Sequence, residues 1–346
     1  MRKTPIFTIN LKKNCAVFYT FVFFSSFIFS VMLSNSKISI NTSGEIIRKM
    51  VISSTLSAKK QSSLNTIFPL FSFENKKEEK NEIKKEMKKN ISLKPVISRT
   101  VGKNSEVKIA NSSNIKIDTS MLMQNSPAFL KEDFSVLIIH THTTESYTPS
   151  QLHPFTHSDT FRTQDRNYNM IKIGDKIEEV LINNGIKVYH SEKINDFPSY
   201  NQSYSKSLAE AEKMIKEHSD IKIILDVHRD AIETSGGEEI KYVSDINGSQ
   251  AASLMLVVGS NLSGLEHDNW QDNMNFALNL QNHLNSLYPS LMRPLNFRSQ
   301  RFNQHLAPGA IIVEVGTNRN TLEEALLGAK YFAEGLVSFV KNTGNS

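Results

Sequence analysis

Three apolar stretches of this 346-residue chain stop at, or carry, side chains able to bind a metal ion. Phe134 to Tyr147 reads Phe-Ser-Val-Leu-Ile-Ile-His-Thr-His-Thr-Thr-Glu-Ser-Tyr, an apolar run that gives way to His140, His142 and Glu145. Ile221 to Val227 is followed by His228, Arg229 and Asp230, and the run Ile311 to Val315 encloses Glu314. Neutral imidazoles and a carboxylate that leave one coordination position open are what a catalytic zinc ion requires. Zinc so held lowers the pKa of its bound water to about 7, and a nearby carboxylate can take the proton as the water attacks a carbonyl. Each histidine can equally be a hydrogen-bonded residue with no ligand. Glu314 adds weight to the metal reading, because a carboxylate inside an apolar run needs a partner. Spacing alone leaves both readings open.

These side chains need strands to deliver them and helices to cover the strands. The opening run is too short for an ordinary helix and rich in β-branched residues, so it reads as a buried strand whose carboxyl end carries the polar groups. In open α/β sheets that edge is where ligands bind. Tyr168 to Asn184 places Ile173, Ile177, Val180 and Leu181 at helical spacing, with Asn167 as N-cap and Gly185 at the C′ position. Ile186 to Tyr189 reads as a strand, Ser203 to His218 as a helix and Ile221 to Val227 as a second buried strand. Asn247-Gly248 marks a turn before an apolar strand from Ala252 to Val258. Trp270, Met274, Ala277, Leu280, Leu284 and Leu287 form one helical stripe that Pro289 ends. Thr321 with Glu324 offers a capping box for a closing helix to about Val340. Strands alternating with helices predict one α/β domain over residues 133–341, a mostly parallel sheet flanked by helices.

Ahead of that domain the composition changes. Arg2, Lys3, Lys12 and Lys13 precede an uncharged run from Cys15 to Leu33 dense in Phe, Val, Ile and Met. At ~1.5 Å per residue this run can cross the hydrocarbon core. The basic residues keep the tail 1–13 in the cytoplasm and export the rest. Only Ser34-Asn35-Ser36 offers a small-residue cleavage site, so residues 14–33 read as an uncleaved transmembrane signal-anchor. Residues 34–132 are rich in Ser, Asn and Lys without sustained periodicity and read as a mostly disordered linker. Cys15 is the single cysteine, so no intrachain disulfide forms. A net charge of +5 is too diffuse to point to nucleic acid.

Several motifs then resemble one family. They are Ile139-His-Thr-His-Thr-Thr-Glu-Ser-Tyr-Thr148, Arg162-Thr-Gln-Asp165 with Tyr168-Asn169, Leu225-Asp-Val-His-Arg-Asp-Ala231, Asn269-Trp-Gln271, Arg301-Phe-Asn-Gln304 and Ile312-Val-Glu-Val-Gly316. Together they look like the stage II sporulation protein P family of membrane-anchored cell-wall hydrolases. The domain is more distantly similar to zinc-dependent N-acetylmuramoyl-L-alanine amidases.

Carried over residue by residue, the resemblance puts the first zinc histidine on His142, with His140 in one of the two preceding small-residue positions. The third ligand falls on His228 and the catalytic glutamate on Glu314. For the second ligand the amidase pattern points to Asp165, a shorter side chain than the expected glutamate, while Glu145 lies in the motif most typical of the sporulation family. One of the two is expected, not both. His140, Arg229, Asp230, Arg301, Asn303 and Gln304 fall in the matching motifs as candidates for binding substrate or orienting a ligand.

The resemblance implies Zn²⁺ as cofactor, peptidoglycan as substrate and amidase activity, with endopeptidase cleavage of cross-links or a catalytically weak wall-binding scaffold as alternatives. It also implies work at the sporulation septum during engulfment, with sporulation protein D, a lytic transglycosylase, and the membrane protein M as partners.

Overall fold

The computed structural model describes residues 94–344 apart from 105, 113, 114 and 124. The tail 1–13, the anchor expected at 14–33 and the linker up to residue 93 lie outside the described residues. Among the described residues no helix is long and apolar enough to cross a membrane.

The elements in chain order are β1 (Val96–Thr100), β2 (Ile109–Asn111), α1 (Thr119–Met123), β3 (Ser135–Ile139), α2 (Met170–Asn183), β4 (Val188–His190), α3 (Ser203–Glu217), β5 (Ile221–Asp230), β6 (Glu239–Ile246), β7 (Ser249–Ala252), β8 (Leu254–Val258), α4 (Trp270–Leu287), β9 (Leu295–Phe297), β10 (Gly309–Thr317) and α5 (Leu322–Gly344). Residues 94–131, assigned to the linker by composition, thus supply β1, β2, α1 and a 3-10 turn at Ala128–Lys131, so ordered structure begins well before residue 133.

Seven strands form the main sheet in the order β2-β9-β8-β10-β5-β3-β4. The block β10-β5-β3-β4 is parallel throughout, and β8-β9-β2 is parallel within itself, but β8 meets β10 antiparallel. A second sheet, β1-β6-β7, pairs β6 with β7 antiparallel. The sheets are therefore mixed, where alternation of strands and helices predicted a mostly parallel one. The reversal begins at Asn247-Gly248, whose φ values of 53° and 77° allow the tight turn between β6 and β7. The stretch Ala252 to Val258, read as one strand, is split at Ser253, whose N–H donates to Tyr242 O, so β7 stays in the small sheet while β8 enters the large one.

A strand's two-residue period decides which face each side chain takes. Val136 and Ile138 of β3, Ile223, Leu225 and Val227 of β5, and Ile311, Val313 and Val315 of β10 share one large core with α2, α4 and α5. Leu137, Ile139, Ile224 and Ala310 point the other way, into a smaller core covered by Ala211 of α3. Asp226, His228 and Glu314 have the parity of this second face. Because α3 covers only part of that face, the strand ends beyond it are left open to a cavity.

The helix ends follow their local chemistry. Asn169, two residues later than expected, caps α2 by accepting from Ile171 N at 3.0 Å, and Gly185 follows it at φ 82°. Thr321 and Glu324 form the expected capping box for α5, with Thr321 N donating to Glu324 Oε2 at 3.1 Å and Glu324 N to Thr321 Oγ1 at 3.3 Å.

Candidate functional site

At the carboxyl ends of β3, β5 and β10 lies a cavity of about 810 Å³ whose lining includes His142, Glu145, Tyr204, His228, Arg293 and Glu314. Strand β5 runs through His228-Arg229-Asp230 rather than stopping before them. In the parallel pairing Ile139 lies opposite Asp226, which puts His140 level with Val227 and the turn that follows beside His228. The His142 and His228 rings stand 5.2 Å apart and almost perpendicular.

Each imidazole is held from behind. Tyr200 stacks on His142 with ring centroids 4.5 Å apart, and its hydroxyl lies 3.2 Å from Nε2, while the buried Nδ1 has no hydrogen-bond partner. Burial foremost, with His228 adding to it, lowers the His142 pKa to about 4, against the pull of Glu145. His142 is a neutral imidazole at pH 7. His228 sits between two carboxylates, Nε2 at 3.0 Å from Asp226 Oδ1 and Nδ1 at 3.6 Å from Glu145 Oε2. Burial works against its protonation, but Asp226 and Glu145 outweigh burial and raise its pKa. Asp226 is itself anchored by Thr141, whose N–H donates to it at 2.8 Å and whose hydroxyl donates at 2.6 Å.

Glu145 is buried yet ionised. Burial raises its pKa, and Arg229 followed by His228 outweigh that and bring the carboxyl well below the usual carboxylate range. Its Oε1 also receives Arg162 Nη2 at 3.2 Å, and its Oε2 receives the Arg229 backbone N–H at 3.3 Å. Glu314 behaves in the opposite way. Although the residue is partly exposed, its Oε2 is enclosed without a partner, and burial raises its pKa to about 8, with His228 opposing. The surroundings thus push two carboxyl groups of one cavity in opposite directions, the division of labour expected of an electrostatic ligand and a proton carrier.

Whether these donors suit zinc can be tested on the residues themselves. Two imidazoles and a carboxylate match zinc in kind. The 3.6 Å between His228 Nδ1 and Glu145 Oε2 is long for a hydrogen bond and close to the ~3.3 Å that separates two tetrahedral ligands bound at about 2.0–2.1 Å. The unpartnered Nδ1 of His142 supplies the third donor. Among the described residues only Asp175, Glu178 and His190 bring three donor atoms within 4.8 Å of one another, so the His142 donor stands further off than a closed site requires. The donor chemistry fits, with the three groups more open than around an ion.

The other sequence candidates lie as follows. Asp165 is exposed and accepts from Asn167 N and Nδ2 at 3.0 and 2.9 Å, outside the cavity lining. His140 is fully buried beneath the site, Nδ1 at 3.2 Å from Val227 O and Nε2 at 2.9 Å from His190 Nε2. Burial first, then His190, lowers its pKa to about 3.

Arg229 spends its guanidinium on the carbonyls of Ser146, Thr160 and Phe161, so it braces the loop instead of offering a free fork to substrate. Asp230 accepts from Arg293 Nη2 at 2.8 Å, and it is Asp226 that lies against the His228 ring. Arg301 donates to Glu266 O. Asn303 donates to Tyr204 O and Ser207 Oγ, and Gln304 bridges Gly259 N and Val257 O. These last two tie loops to the scaffold and do not line the cavity.

Sequence reasoning passed over Asp226, Tyr200, Tyr204 and Arg293. For Asp226 a signal existed, a carboxylate inside the apolar run Ile221 to Val227, of the same kind that singled out Glu314. Arg293 is buried with Nη1 unpartnered, and nothing in its local sequence marks it.

The family described as Stage II sporulation protein P matches residues 47–337. The stage II sporulation protein P of Bacillus subtilis (strain 168) is 27% identical over 210 residues, which is 58% of this chain and 49% of the relative. The chain spans about half the length of the curated relative it matches. Similar solved structures include N-acetylmuramoyl-L-alanine amidases of Nostoc punctiforme, 13% identical over 62% of this chain and 99% of that one with a TM-score of 0.34, and of Mycobacterium smegmatis, 13% identical over 63% and 100% with a TM-score of 0.37.

Proposed function

The chain belongs to the stage II sporulation protein P family, and from that premise and the cavity we propose that it is a zinc-dependent peptidoglycan hydrolase, an N-acetylmuramoyl-L-alanine amidase that removes stem peptides from glycan strands. The observation that carries this reading is the enclosed, partnerless Oε2 of Glu314 in the same cavity as His142, Glu145 and His228. Under this proposal His142, His228 and Glu145 hold the ion. Zinc there would supply a polarised amide carbonyl and a water acidic enough to ionise near neutral pH.

The chain's own residues do the rest. Glu314, its Oε2 enclosed and unpartnered and its backbone paired with that of His228, takes the proton of the attacking water and returns it to the leaving amine of alanine. Asp226 fixes the His228 ring, and the Tyr200 hydroxyl fixes His142 by its Nε2, leaving Nδ1 free. Arg293 lines the same cavity and donates from Nη2 to Asp230 Oδ2, which holds its guanidinium there. The family resemblance extends the proposal to septal wall remodelling from a membrane anchor at residues 14–33, with sporulation proteins D and M as partners.

The test is to mix the zinc-loaded full chain with purified peptidoglycan and identify released fragments by mass spectrometry. Intact stem peptides with a free amino-terminal alanine, lost in His142→Ala and Glu314→Gln, support the amidase. Cross-link cleavage products alone would make it an endopeptidase. No release, with or without the D partner, overturns the enzymatic reading.

A further inference from the structure

On the far side of β3 from the cavity, two histidines meet nitrogen to nitrogen, His140 Nε2 and His190 Nε2 being 2.9 Å apart. A carbonyl can only accept, so His140 Nδ1 carries a proton and donates to Val227 O. Two N–H groups cannot face each other at 2.9 Å, and with its Nδ1 proton given to that carbonyl the fully buried His140 ring offers Nε2 as the acceptor. His190 must therefore donate from Nε2, and its other nitrogen is turned outward. That Nδ1 faces Glu178 Oε2 at 3.2 Å and Asp175 Oδ1 at 3.6 Å, two carboxylates one helical turn apart on α2.

Without a proton, His190 Nδ1 would aim a lone pair at two carboxylates, which is repulsive. Either a proton or a metal ion must lie between them. The His190 side chain is only 3% exposed, and its inner nitrogen, Nε2, is fixed by His140, the arrangement that orients metal-binding histidines. Asp175, Glu178 and His190 bring their donor atoms within 4.8 Å of one another. Charge also balances. Arg166, 3.3 Å from Asp175, is neutralised by Glu192 at 2.7 Å, so the two carboxylates of α2 remain to match a divalent cation.

We propose that Asp175, Glu178 and His190 form a second divalent-cation site, separate from the cavity, that clips α2 to the edge strand β4. Two oxygens and one imidazole nitrogen suit a borderline ion of the zinc class. The ion ties together the helix packed on β3 and the edge strand paired with it, and thereby stiffens the His140–His190 support beneath the cavity. This proposal stands independently of the amidase reading.

The experiment uses the full chain, stripped with a chelator and titrated with Zn²⁺, with bound metal counted by elemental analysis and calorimetry. Wild type is expected to take two equivalents, and Asp175→Asn with Glu178→Gln to take one fewer and to lose most of the zinc-induced rise in melting temperature. Circular dichroism of the metal-free double variant checks that it folds. A double variant that keeps the wild-type number of equivalents, or that zinc stabilises as much as wild type, overturns the second site. So does a wild type whose single equivalent is lost in His142→Ala and kept in the double variant. Failure of the cavity site reads differently, as a His142→Ala chain that keeps all its zinc.

Discussion

Glu314 and His228 are direct neighbours in the parallel pairing of β10 with β5, so their side chains leave the sheet on the same face. The pleat that sends Val313 and Val315 into the core sends Glu314 toward the cavity. A slip of one residue in this register would bury Glu314 and expose its valine neighbours, so packing of the opposite face is what holds the carboxyl beside the imidazole.

Replacing Glu314 by Gln keeps the shape and removes the titration. The hydrolytic rate is expected to fall ~10²–10⁴-fold, the usual contribution of a positioned acid or base, with zinc content unchanged. Steady-state rates beside metal analysis check this. A variant that loses zinc together with activity would place Glu314 among the ligands instead.

Asp226→Asn should weaken zinc binding ~10–100-fold, because the carboxylate that orients the His228 ring is lost. Asp165→Asn should leave affinity unchanged, since Asp165 bonds only within its own exposed loop. Competition against a chromophoric chelator measures both.

Arg229→Ala should cost at least ~1–3 kcal/mol in denaturant unfolding, because the carbonyls of Ser146, Thr160 and Phe161 lose their donor while Glu145 keeps Arg162 and the backbone N–H of residue 229. Lysine should rescue little, because its single ammonium cannot reach the carbonyls of Ser146, Thr160 and Phe161 in the fork that arginine offers.

Glu323 links stability to acid. Burial raises its pKa, but hydrogen bonds from Ser150, then His153, with others together outweigh it and bring it down to about 2 from the ordinary 4.5. A depressed carboxylate stabilises the fold above its unfolded pKa, and that contribution disappears as pH falls through the folded one. The difference in melting temperature between wild type and Glu323→Gln should therefore be full above about pH 5 and vanish on approach to pH 2.

Gly174→Ala sets two effects against each other. Alanine favours a helix by about 1 kcal/mol, yet the new methyl would press into the His190 ring and come within 2.8 Å of His140 Nε2, two rings held by their own contact. Overpacking of ~1–3 kcal/mol should win, and thermal unfolding will show a net loss of stability.

Much of the scaffold was legible. α2 and α4 announced themselves by apolar spacing, α5 by its capping box, and the turn at Asn247-Gly248 by its dipeptide. His142, His228 and Glu314 could be picked out because each interrupts or ends an apolar run. The reversal at β8 could not, since the apolar pattern of a buried strand is the same in either direction. β2 and β9, with three residues each, were too short to show a period, and β1 is mostly exposed and sits in Ser- and Lys-rich surroundings. The His140–His190 contact joins positions 50 residues apart, and neither residue's neighbours hint at the other.

The early strands bear on how the domain behaves when cut. β2 is the last strand of the seven-stranded sheet, and β1 closes one side of the small sheet. A chain shortened to residue 133 would lose both and uncover the backbone hydrogen-bonding groups of β9 and β6 at once. Two open edges on one molecule are enough to propagate strand addition from copy to copy, so such a truncation would be prone to chain-forming aggregation even with every catalytic side chain intact.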